Sequence, residues 1–299
     1  MNNDPHQIDR HAVRRAFSAA SAQYDQFAVL QTEVRTRLLE RLDWVKLAPT
    51  VILDLGSGTA VASKLLQQRY PQAQVIALDA AFGMLQQAQQ QYGLLQKLLL
   101  RISPGGFARI CADAYRLPFK SASMDLVFSN LMLQWCDPPD EVFTEIKRVL
   151  KPEGVFLFAS FGPDTLRELR QAWASVDEHT HVSRFIDMHD LGDAMIRAGF
   201  SEPVLDVERM TLTYPEVMGL MRDLKAIGAH NATAGRPAGL TGRNVLKQMI
   251  SAYELQRREG VIPASYEVVY GQAWGNDHPL RGIGGEVRIP INKIGRRSY

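Results

Sequence analysis

Five short apolar runs follow one another between residues 51 and 160, separated by segments whose apolar residues recur at helical spacing. The runs are apolar almost throughout, which is typical of strands covered on both faces of a sheet. Strands that alternate with helices predict a parallel sheet with crossover connections. The predicted strands are VILDL (51–55), VIALD (75–79), ARICA (108–112), MDLVFS (124–129) and VFLFAS (155–160).

The segments around these runs predict helices. They lie at 8–46, 59–70, 82–100 and 138–150. After residue 160 the pattern predicts helices in FGPDTLRELRQAW, HDLGDAMIRAGF, PEVMGLMRDLKAIG and GRNVLKQMISAYELQRR, and strands in PVLDVER and YEVVYGQAW. We expect Thr165 and Glu168 to form a capping box at the first of these later helices.

The changes of pattern divide the chain into four segments. We expect a helical segment that covers a ligand site, a ligand-binding core, a segment of lid helices with the last two strands, and a basic tail. Their bounds are 1–50, 51–160, 161–275 and 276–299.

Composition narrows the function classes. A chain that is 46% apolar and 22% charged is an ordinary globular protein, and a net charge of +2 is too near balance to indicate nucleic-acid binding. No apolar run approaches the roughly 20 residues that span a bilayer, so we expect no membrane partner. The N-terminus lacks an apolar export segment, and Cys111 and Cys136 have neither disulfide-framework nor zinc-site spacing. We therefore expect a cytoplasmic protein.

A glycine-rich turn follows the first predicted strand, in VILDLGSGTA (51–60). Such a turn brings backbone N–H groups close to a ligand. A dinucleotide fingerprint requires G-x-G-x-x-G, but the last position here is Val61, whose branched side chain would crowd a pyrophosphate. Asp54 stands directly before the turn, where its charge would repel phosphates and attract a cation. The turn therefore favours S-adenosylmethionine, which carries an ammonium and a sulfonium, over a nicotinamide cofactor.

Ala60 stands near the end of this turn, where a glycine could be expected. A methyl group is tolerated at the start of a helix if φ is negative, whereas a positive φ strains alanine. We expect only a small perturbation at Ala60. If its φ is positive, Ala60→Gly should improve donor affinity.

Acidic residues also end or follow the second and third predicted strands. Asp79 lies about 20 residues after the turn, where a carboxylate accepts both hydroxyls of an adenine-linked ribose. Asp113, in CADAYRLPF, is placed to accept from an adenine amino group, and the backbone of Ala114 offers a donor. Each acid alone could be a solvated strand-end residue, but the series at three strand ends indicates an adenosine site.

Four segments, VILDLGSGTA, VIALDAAFGML, ADAYRLPF and SNLMLQW, together resemble successive motifs of class I S-adenosylmethionine-dependent methyltransferases. The resemblance implies an α/β, doubly wound, mostly parallel seven-stranded sheet. This sequence departs from the family pattern at Ala60, where glycine is usual, and at Ala81, where serine is frequent. The resemblance also implies a position along the donor for each motif residue. It places Gly56, Ser57 and Gly58 at the methionine end, Asp79 at the ribose, Met84 near the adenine, Asp113 and Ala114 at the adenine edge, and Asn130 beside the sulfonium.

The outer segments are similar to a narrower family, the malonyl-acyl-carrier-protein O-methyltransferases of biotin synthesis. The matching segments are RRAFSAASAQYDQFAVLQ, FGPDTLRELRQAW, LMRDLKAIGAHNATAGR and SYEVVYGQAW. The resemblance implies methylation of the free carboxylate of a malonyl thioester, carried on acyl carrier protein or coenzyme A. The masked ester then primes pimeloyl synthesis. The resemblance to this narrower family also implies that Tyr24 closes over the donor.

The chemistry of this acceptor requires a cation rather than a base. A carboxylate with a pKa of about 4 is ionised at neutral pH, so it can attack a sulfonium methyl unaided. Arg184 is the first candidate to hold it, because Arg184 follows the predicted lid helix and a guanidinium matches a carboxylate. Arg222 and Lys225 are the alternatives. All three could instead be solvated surface charges.

Two further patterns concern partners and metals. Arg167 and Arg170 share a helix face and could meet the acidic surface of an acyl carrier protein, although a solvated face is the alternative. The segment DEHTHVSRFIDMHD contains His179, His181 and His189, but their spacing fits no zinc pattern and we expect no metal.

Two other functions remain as hypotheses. The outer segments are also similar to the arginine-hydroxylating assembly factor of respiratory complex I, which suggests a protein that keeps the donor fold and acts on a protein partner. A nicotinamide oxidoreductase is disfavoured by Asp54 and Val61.

Overall fold

The computed structural model of the protein describes residues 6–90, 106–237, 239 and 241–275. Within these residues, seven strands form one sheet in the order β3-β2-β1-β4-β5-β7-β6. The strands are β1 (Val51–Leu55), β2 (Gln74–Asp79), β3 (Phe107–Cys111), β4 (Met124–Asn130), β5 (Leu150–Phe161), β6 (Ser201–Tyr214) and β7 (Ile262–Trp274).

Strands β1 to β5 pair in parallel, whereas β7 pairs antiparallel with both β5 and β6. Successive residues of β1 point to opposite faces, so Ile52 packs into one hydrophobic cluster and Leu53 into another. Both faces are therefore buried, which explains the unbroken apolar runs. The predicted doubly wound, mostly parallel seven-stranded fold is confirmed.

Helices connect and cover the strands. They are α1 (Arg10–Ala20), α2 (Tyr24–Phe27), α3 (Val29–Glu40), α4 (Val61–Arg69), α5 (Phe82–Gln90), α6 (Pro139–Val149), α7 (Arg167–Ala174), α8 (Met188–Arg197), α9 (Val217–Ala226) and α10 (Arg243–Glu254). Short 3-10 helices cover Arg41–Trp44 and Leu133–Trp135.

The N-terminal region forms three α-helices rather than the continuous helix that the sequence predicts. The side chain of Asp9 caps α1 by accepting hydrogen bonds from two backbone N–H groups of its first turn. Val34 and Leu38 on α3 are fully buried, and so is Leu42 in the following 3-10 helix. These apolar residues therefore pack against the sheet in one hydrophobic cluster.

The predicted capping box at α7 is wrong. The Thr165 hydroxyl donates to the Glu267 carbonyl and accepts from the Glu267 N–H, both at 3.1 Å. The Glu168 carboxylate accepts from the N–H and the hydroxyl of Ser265, at 3.0 and 2.5 Å. Leu166, at the N-cap, has a φ of 53°. Both polar side chains thus fix α7 to β7 instead of capping the helix.

Two predictions fall outside the described residues, namely the 91–100 portion of the helix at 82–100 and the tail at 276–299. Gly199, two residues after the end of α8, has a φ of 86°, the left-handed backbone that often ends a helix. In the described part of the chain, no helix combines the length and apolar character needed to cross a membrane.

Candidate active site

A cavity lies where the strand order reverses, at the carboxyl ends of β1 and β4, which is where doubly wound sheets bind ligands. We call it the switch-point cavity. Residues from the ends of β1, β2 and β4, the turn after β3 and helices α1, α2 and α5 line it. Of the residues selected from the sequence, the wall includes Tyr24, Gly56, Gly58, Asp79, Met84, Asp113, Ala114 and Asn130.

The turn between β1 and α4 needs left-handed backbone at three positions. Gly56 has a φ of 75° and Gly58 a φ of 54°. A Cβ on Gly56 would overlap the side chain of Met132, whereas a Cβ on Gly58 would meet no atom within 4 Å. Ala60, the N-cap of α4, has a φ of 60°. Of the two cases considered for Ala60, the structure shows the positive φ, so the predicted gain in donor affinity for Ala60→Gly applies.

Asp79 organises the turn from the end of β2. Its two carboxylate oxygens accept from the N–H groups of Gly58 (2.8 Å) and Ala81 (2.7 Å). Burial raises the pKa of Asp79, while these two backbone bonds oppose the rise. The carboxylate thus faces the cavity with remaining capacity to accept hydrogen bonds. Asp113 accepts from the N–H of Tyr115 at 3.2 Å in the turn after β3.

Asp54 is placed differently from the sequence expectation. Its carboxylate is buried beneath the turn, 1% exposed, and accepts a hydrogen bond from the hydroxyl of Ser63 on α4. Burial raises the pKa of Asp54 to about 7, against the lowering effect of the Ser63 bond. Neither Asp54 nor Ser57 is on the described wall of the switch-point cavity. Asp54 therefore ties the turn to α4 instead of facing a ligand.

Two buried polar atoms near the turn lack a partner among the described residues. They are the Ser57 hydroxyl oxygen and Oδ1 of Asn130. The other side-chain atom of Asn130, Nδ2, donates to the Gln31 carbonyl at 3.1 Å, which fixes the amide so that Oδ1 is the available acceptor. Unsatisfied buried acceptors cost about 1–3 kcal/mol each, so they suit a ligand that brings donors or positive charge.

Helix α2 closes over the glycine turn. Asp25 accepts a hydrogen bond from the Thr59 hydroxyl at 2.6 Å, which joins the helix to the turn. Beside it, burial and the negative charges of Asp79 and Asp25 raise the pKa of Tyr24. Tyr24 therefore remains a neutral phenol and can act as a hydrogen-bond donor.

A second cavity of about 440 Å³ adjoins the first. We call it the aromatic cavity. Phe17, Tyr24, Leu131 and Trp135 line both cavities, and Phe17 meets Trp135 edge to face at 5.3 Å. The remaining wall includes Phe161, Phe185, Tyr214, Tyr266, His181, Asp223, His230 and Asn231. Two ligands could thus lie side by side across one shared wall that is mostly aromatic.

An outer cavity of about 970 Å³ continues from the aromatic cavity towards the surface. Gln134, His181, Val182 and Phe185 line both. This outer cavity offers a way in for the second ligand.

Comparison with known proteins identifies the family. The methyltransferase domain family matches residues 53–158. A malonyl-acyl-carrier-protein O-methyltransferase of Methylovorus sp. strain MP688 is 56% identical over 92% of both chains. A relative of the same name from Gallionella capsiferriformans is 52% identical over 89% of this chain and 91% of its own.

The chain belongs to the malonyl-acyl-carrier-protein O-methyltransferase family. The resemblance inferred from the outer segments is confirmed. Among solved structures, the YcgJ protein of Bacillus subtilis shares the fold, with a TM-score of 0.54 and 16% identity over 81% of this chain and 98% of that one. The relatives carry a methyltransferase name, so they do not favour the hydroxylase-like hypothesis.

The cations selected from the sequence lie away from the aromatic cavity in this methyltransferase. Arg184 is exposed and lines the outer cavity. Arg222 is exposed on α9, where it donates to the Met218 carbonyl at 3.2 Å and reaches Glu216 at 3.5 Å. Lys225 is exposed one turn further along α9. The described wall of the aromatic cavity contains no lysine or arginine.

The two arginines of α7 do not form a free basic face. Arg167 pairs with Glu168 at 3.2 Å. Arg170 donates to the carbonyls of Pro163 and Thr165, at 2.8 and 3.0 Å. Arg170 therefore binds the loop before α7. Its guanidinium is then less available to bind an acidic carrier protein at this helix face.

Two histidines of the lid segment pair with different aspartates. His181 bonds to Asp177 and His189 to Asp187, each at 2.8 Å. Among the described residues, no group of three or more His, Cys, Asp or Glu side chains could hold a metal ion.

Several residues of the cavity wall carry no recognisable signal in the sequence. Phe17 and Met132 line the site only because α1 and the segment after β4 fold over it. Arg10 stacks on the Tyr115 ring at 4.2 Å on the same wall. For His181, the sequence does contain a pattern that places it near two other residues of the site, because Trp173, Asp177 and His181 are spaced four residues apart.

Proposed function

We propose that this protein transfers a methyl group from S-adenosylmethionine to the free carboxylate of malonyl-acyl carrier protein, giving the malonyl methyl ester that primes pimeloyl synthesis for biotin. The observation that carries the proposal is the pair of cavities that share Phe17, Tyr24, Leu131 and Trp135 at the switch point. The names of the relatives supply the acceptor class.

The residues of the switch-point cavity fit the donor. Asp79 presents a carboxylate for the ribose hydroxyls, and Met84 and Ala114 offer apolar surface to the adenine. Asn130 Oδ1, buried and unpaired, suits the positive end of the donor. Gly56, Ser57 and Gly58 form the turn around the methionine end, and Tyr24 covers it. We propose these roles, with Asp113 at the adenine amino group.

The reaction requires alignment and exclusion of water rather than proton transfer. Bound S-adenosylmethionine supplies an electrophilic methyl group. One acceptor carboxylate oxygen forms the new O–C bond as the C–S bond breaks, and the bonding pair leaves on sulfur. Opposite charges are neutralised in this step, so the dry aromatic walls of Phe17, Trp135 and Phe161 favour it. This chemistry needs no general base and no metal.

Each of the first three segments of the chain has its own role in the proposed reaction. We propose that residues 1–50 cover the donor, that residues 51–160 bind it, and that residues 161–275 supply the acceptor side. The outer cavity admits the thioester arm while the carrier stays outside. We place the reaction in the cytoplasm, because the thiols of Cys111 and Cys136 suit a reducing compartment.

The test is to incubate the purified protein with S-adenosylmethionine and malonyl-acyl carrier protein and to measure the intact mass of the carrier. We expect a gain of one methylene on the malonyl carrier and none on an acetyl carrier, which has no free carboxylate. Donor binding without any gain on the malonyl carrier would reject the proposed acceptor.

A further inference from the structure

The acceptor carboxylate is an anion, and the aromatic cavity has few side chains that can carry the opposite charge. On its described wall, the side chains that can carry a positive charge are His181 and His230. Arg184 lies in the outer cavity, where it is exposed.

The surroundings of His230 favour its neutral form. Burial, together with the nearby charge of Lys225, lowers the pKa of His230. The same cavity wall carries Asp223, which would repel a second carboxylate. His230 is therefore the weaker of the two histidines as a source of positive charge for the acceptor.

The surroundings of His181 favour a fixed ring that donates hydrogen bonds. Its Nε2 lies 2.8 Å from Asp177 Oδ1. A carboxylate only accepts, so Nε2–H is the donor and Nδ1 is left for a ligand. Among the described residues, Nδ1 has no recorded hydrogen bond. Donation from Nδ1 to the acceptor requires protons on both ring nitrogens, and Asp177 lies against the positive charge that such a ring would carry.

Two further contacts hold this pair in place. The His181 ring stacks on the Trp173 indole with centroids 3.7 Å apart and planes within 7°. Trp173 is itself buried on α7. Asp177 also accepts from the N–H of His179 at 2.9 Å. The imidazole is thus clamped at the boundary between the aromatic and outer cavities, with a side-chain exposure of 9%.

We propose that His181 holds the free carboxylate of the acceptor by donating a hydrogen bond from Nδ1, and that Asp177 is a positioning residue that acts through His181. The proposal rests on the proposed function, since it assigns the acceptor's carboxylate to a named donor. Arg184 then meets the ligand only in the outer cavity, before the carboxylate reaches His181.

The test compares the affinities of malonyl- and acetyl-acyl carrier protein in the presence of S-adenosylhomocysteine, because the two ligands differ in the free carboxylate. His181→Phe keeps a ring for stacking on Trp173 and removes both ring nitrogens. A hydrogen bond to a charged group corresponds to roughly a tenfold to hundredfold change in affinity. We expect His181→Phe to reduce the malonyl-over-acetyl preference by about this factor and to leave donor affinity within about twofold.

Asp177→Asn tests the positioning role and also serves if His181→Phe does not fold. We expect it to reduce the preference about threefold or more, through loss of the charge opposite the imidazolium. His189→Phe is the matched control, because His189 forms a similar pair with Asp187 on the surface, 84% exposed, and should change nothing.

The outcomes separate this inference from the proposed function. If the unmodified protein methylates the malonyl carrier but both variants keep its preference for malonyl, His181 is not the carboxylate donor. If the unmodified protein methylates no malonyl carrier, the proposed function fails, and a lost preference in the variants would still locate the carboxylate at His181.

Discussion

Gly56 and Gly58 share a left-handed backbone but differ in their surroundings. Only at Gly56 would a Cβ overlap a neighbouring side chain, that of Met132. Gly58 faces open space in the switch-point cavity. Substitutions at these two positions therefore distinguish an effect on the stability of the turn from an effect on the space available to the donor.

We predict that Gly56→Ala lowers both stability and donor affinity, because it adds steric overlap to backbone strain. Gly58→Ala should cost only about 1–2 kcal/mol of stability, the strain of an alanine with positive φ. It should nevertheless weaken donor binding about tenfold or more, since its methyl group enters the cavity. Thermal unfolding and donor calorimetry measure the two effects. Unchanged donor affinity in Gly58→Ala would show that the donor does not pass over this residue.

The buried carboxylate of Asp54 predicts a pH effect. Its folded pKa of about 7 lies above the ordinary value of 3.8, so its contribution to stability is greatest in acid and is lost as pH rises towards 7. Asp54→Asn removes this loss. Relative to the unmodified protein, the variant should gain about 1–3 kcal/mol between about pH 5 and about pH 8.

Unfolding by denaturant at both pH values measures this gain, with the exposed Asp193→Asn as control. A gain that is equal at the two pH values would show that Asp54 is not held with a raised pKa.

Strand parity could have placed Asp54 correctly from the sequence. Asp54 and Ile52 lie two residues apart, so they share one face of β1, and both faces of this strand are buried. The φ of Ala60 had no such signal, because the turn geometry overrides the preference of alanine. Relief of its strain by Ala60→Gly competes with loss of a fully buried methyl group, each about 1 kcal/mol. We now expect little net change in stability.

At the scale of elements, a side-chain hydrogen bond joins the short helix α2 to the glycine turn. Asp25 and Thr59 make this contact across 34 positions of sequence. The apolar pattern predicts helix through this region without its breaks, because the breaks serve to fold α2 over the turn. The capping box failed for a similar reason, since Thr165 and Glu168 bind β7.

We predict that Thr59→Val, which keeps the side-chain shape and removes the hydroxyl, speeds donor release about threefold to tenfold, the effect of one lost hydrogen bond. Thr36→Val is the control, because Thr36 donates only to the Thr32 carbonyl on exposed α3. Stopped-flow displacement of the donor measures the rates. Equal rates in both variants would remove α2 from any role in retaining the donor.

At the scale of the whole molecule, the periodicity of the sequence was sufficient to predict a parallel sheet whose first five strands are joined by crossover connections. The long antiparallel β6 and β7 were predicted only in part, as PVLDVER and YEVVYGQAW, because their exposed or irregular positions interrupt the pattern. The individual wall residues of the aromatic cavity could not be predicted, because they come from α1, α2 and the lid segment, whose relative placement is a tertiary property.

The central claim is that the methyl group reaches a free carboxylate oxygen of a malonyl thioester. The most direct measurement uses S-adenosylmethionine labelled in its methyl group, malonyl-acyl carrier protein, and mild alkaline hydrolysis of the labelled product. An ester releases the label as methanol and regenerates the free carboxylate. We predict that release. Label that stays on the carrier or its acyl chain after hydrolysis would contradict O-methylation and the account built on it.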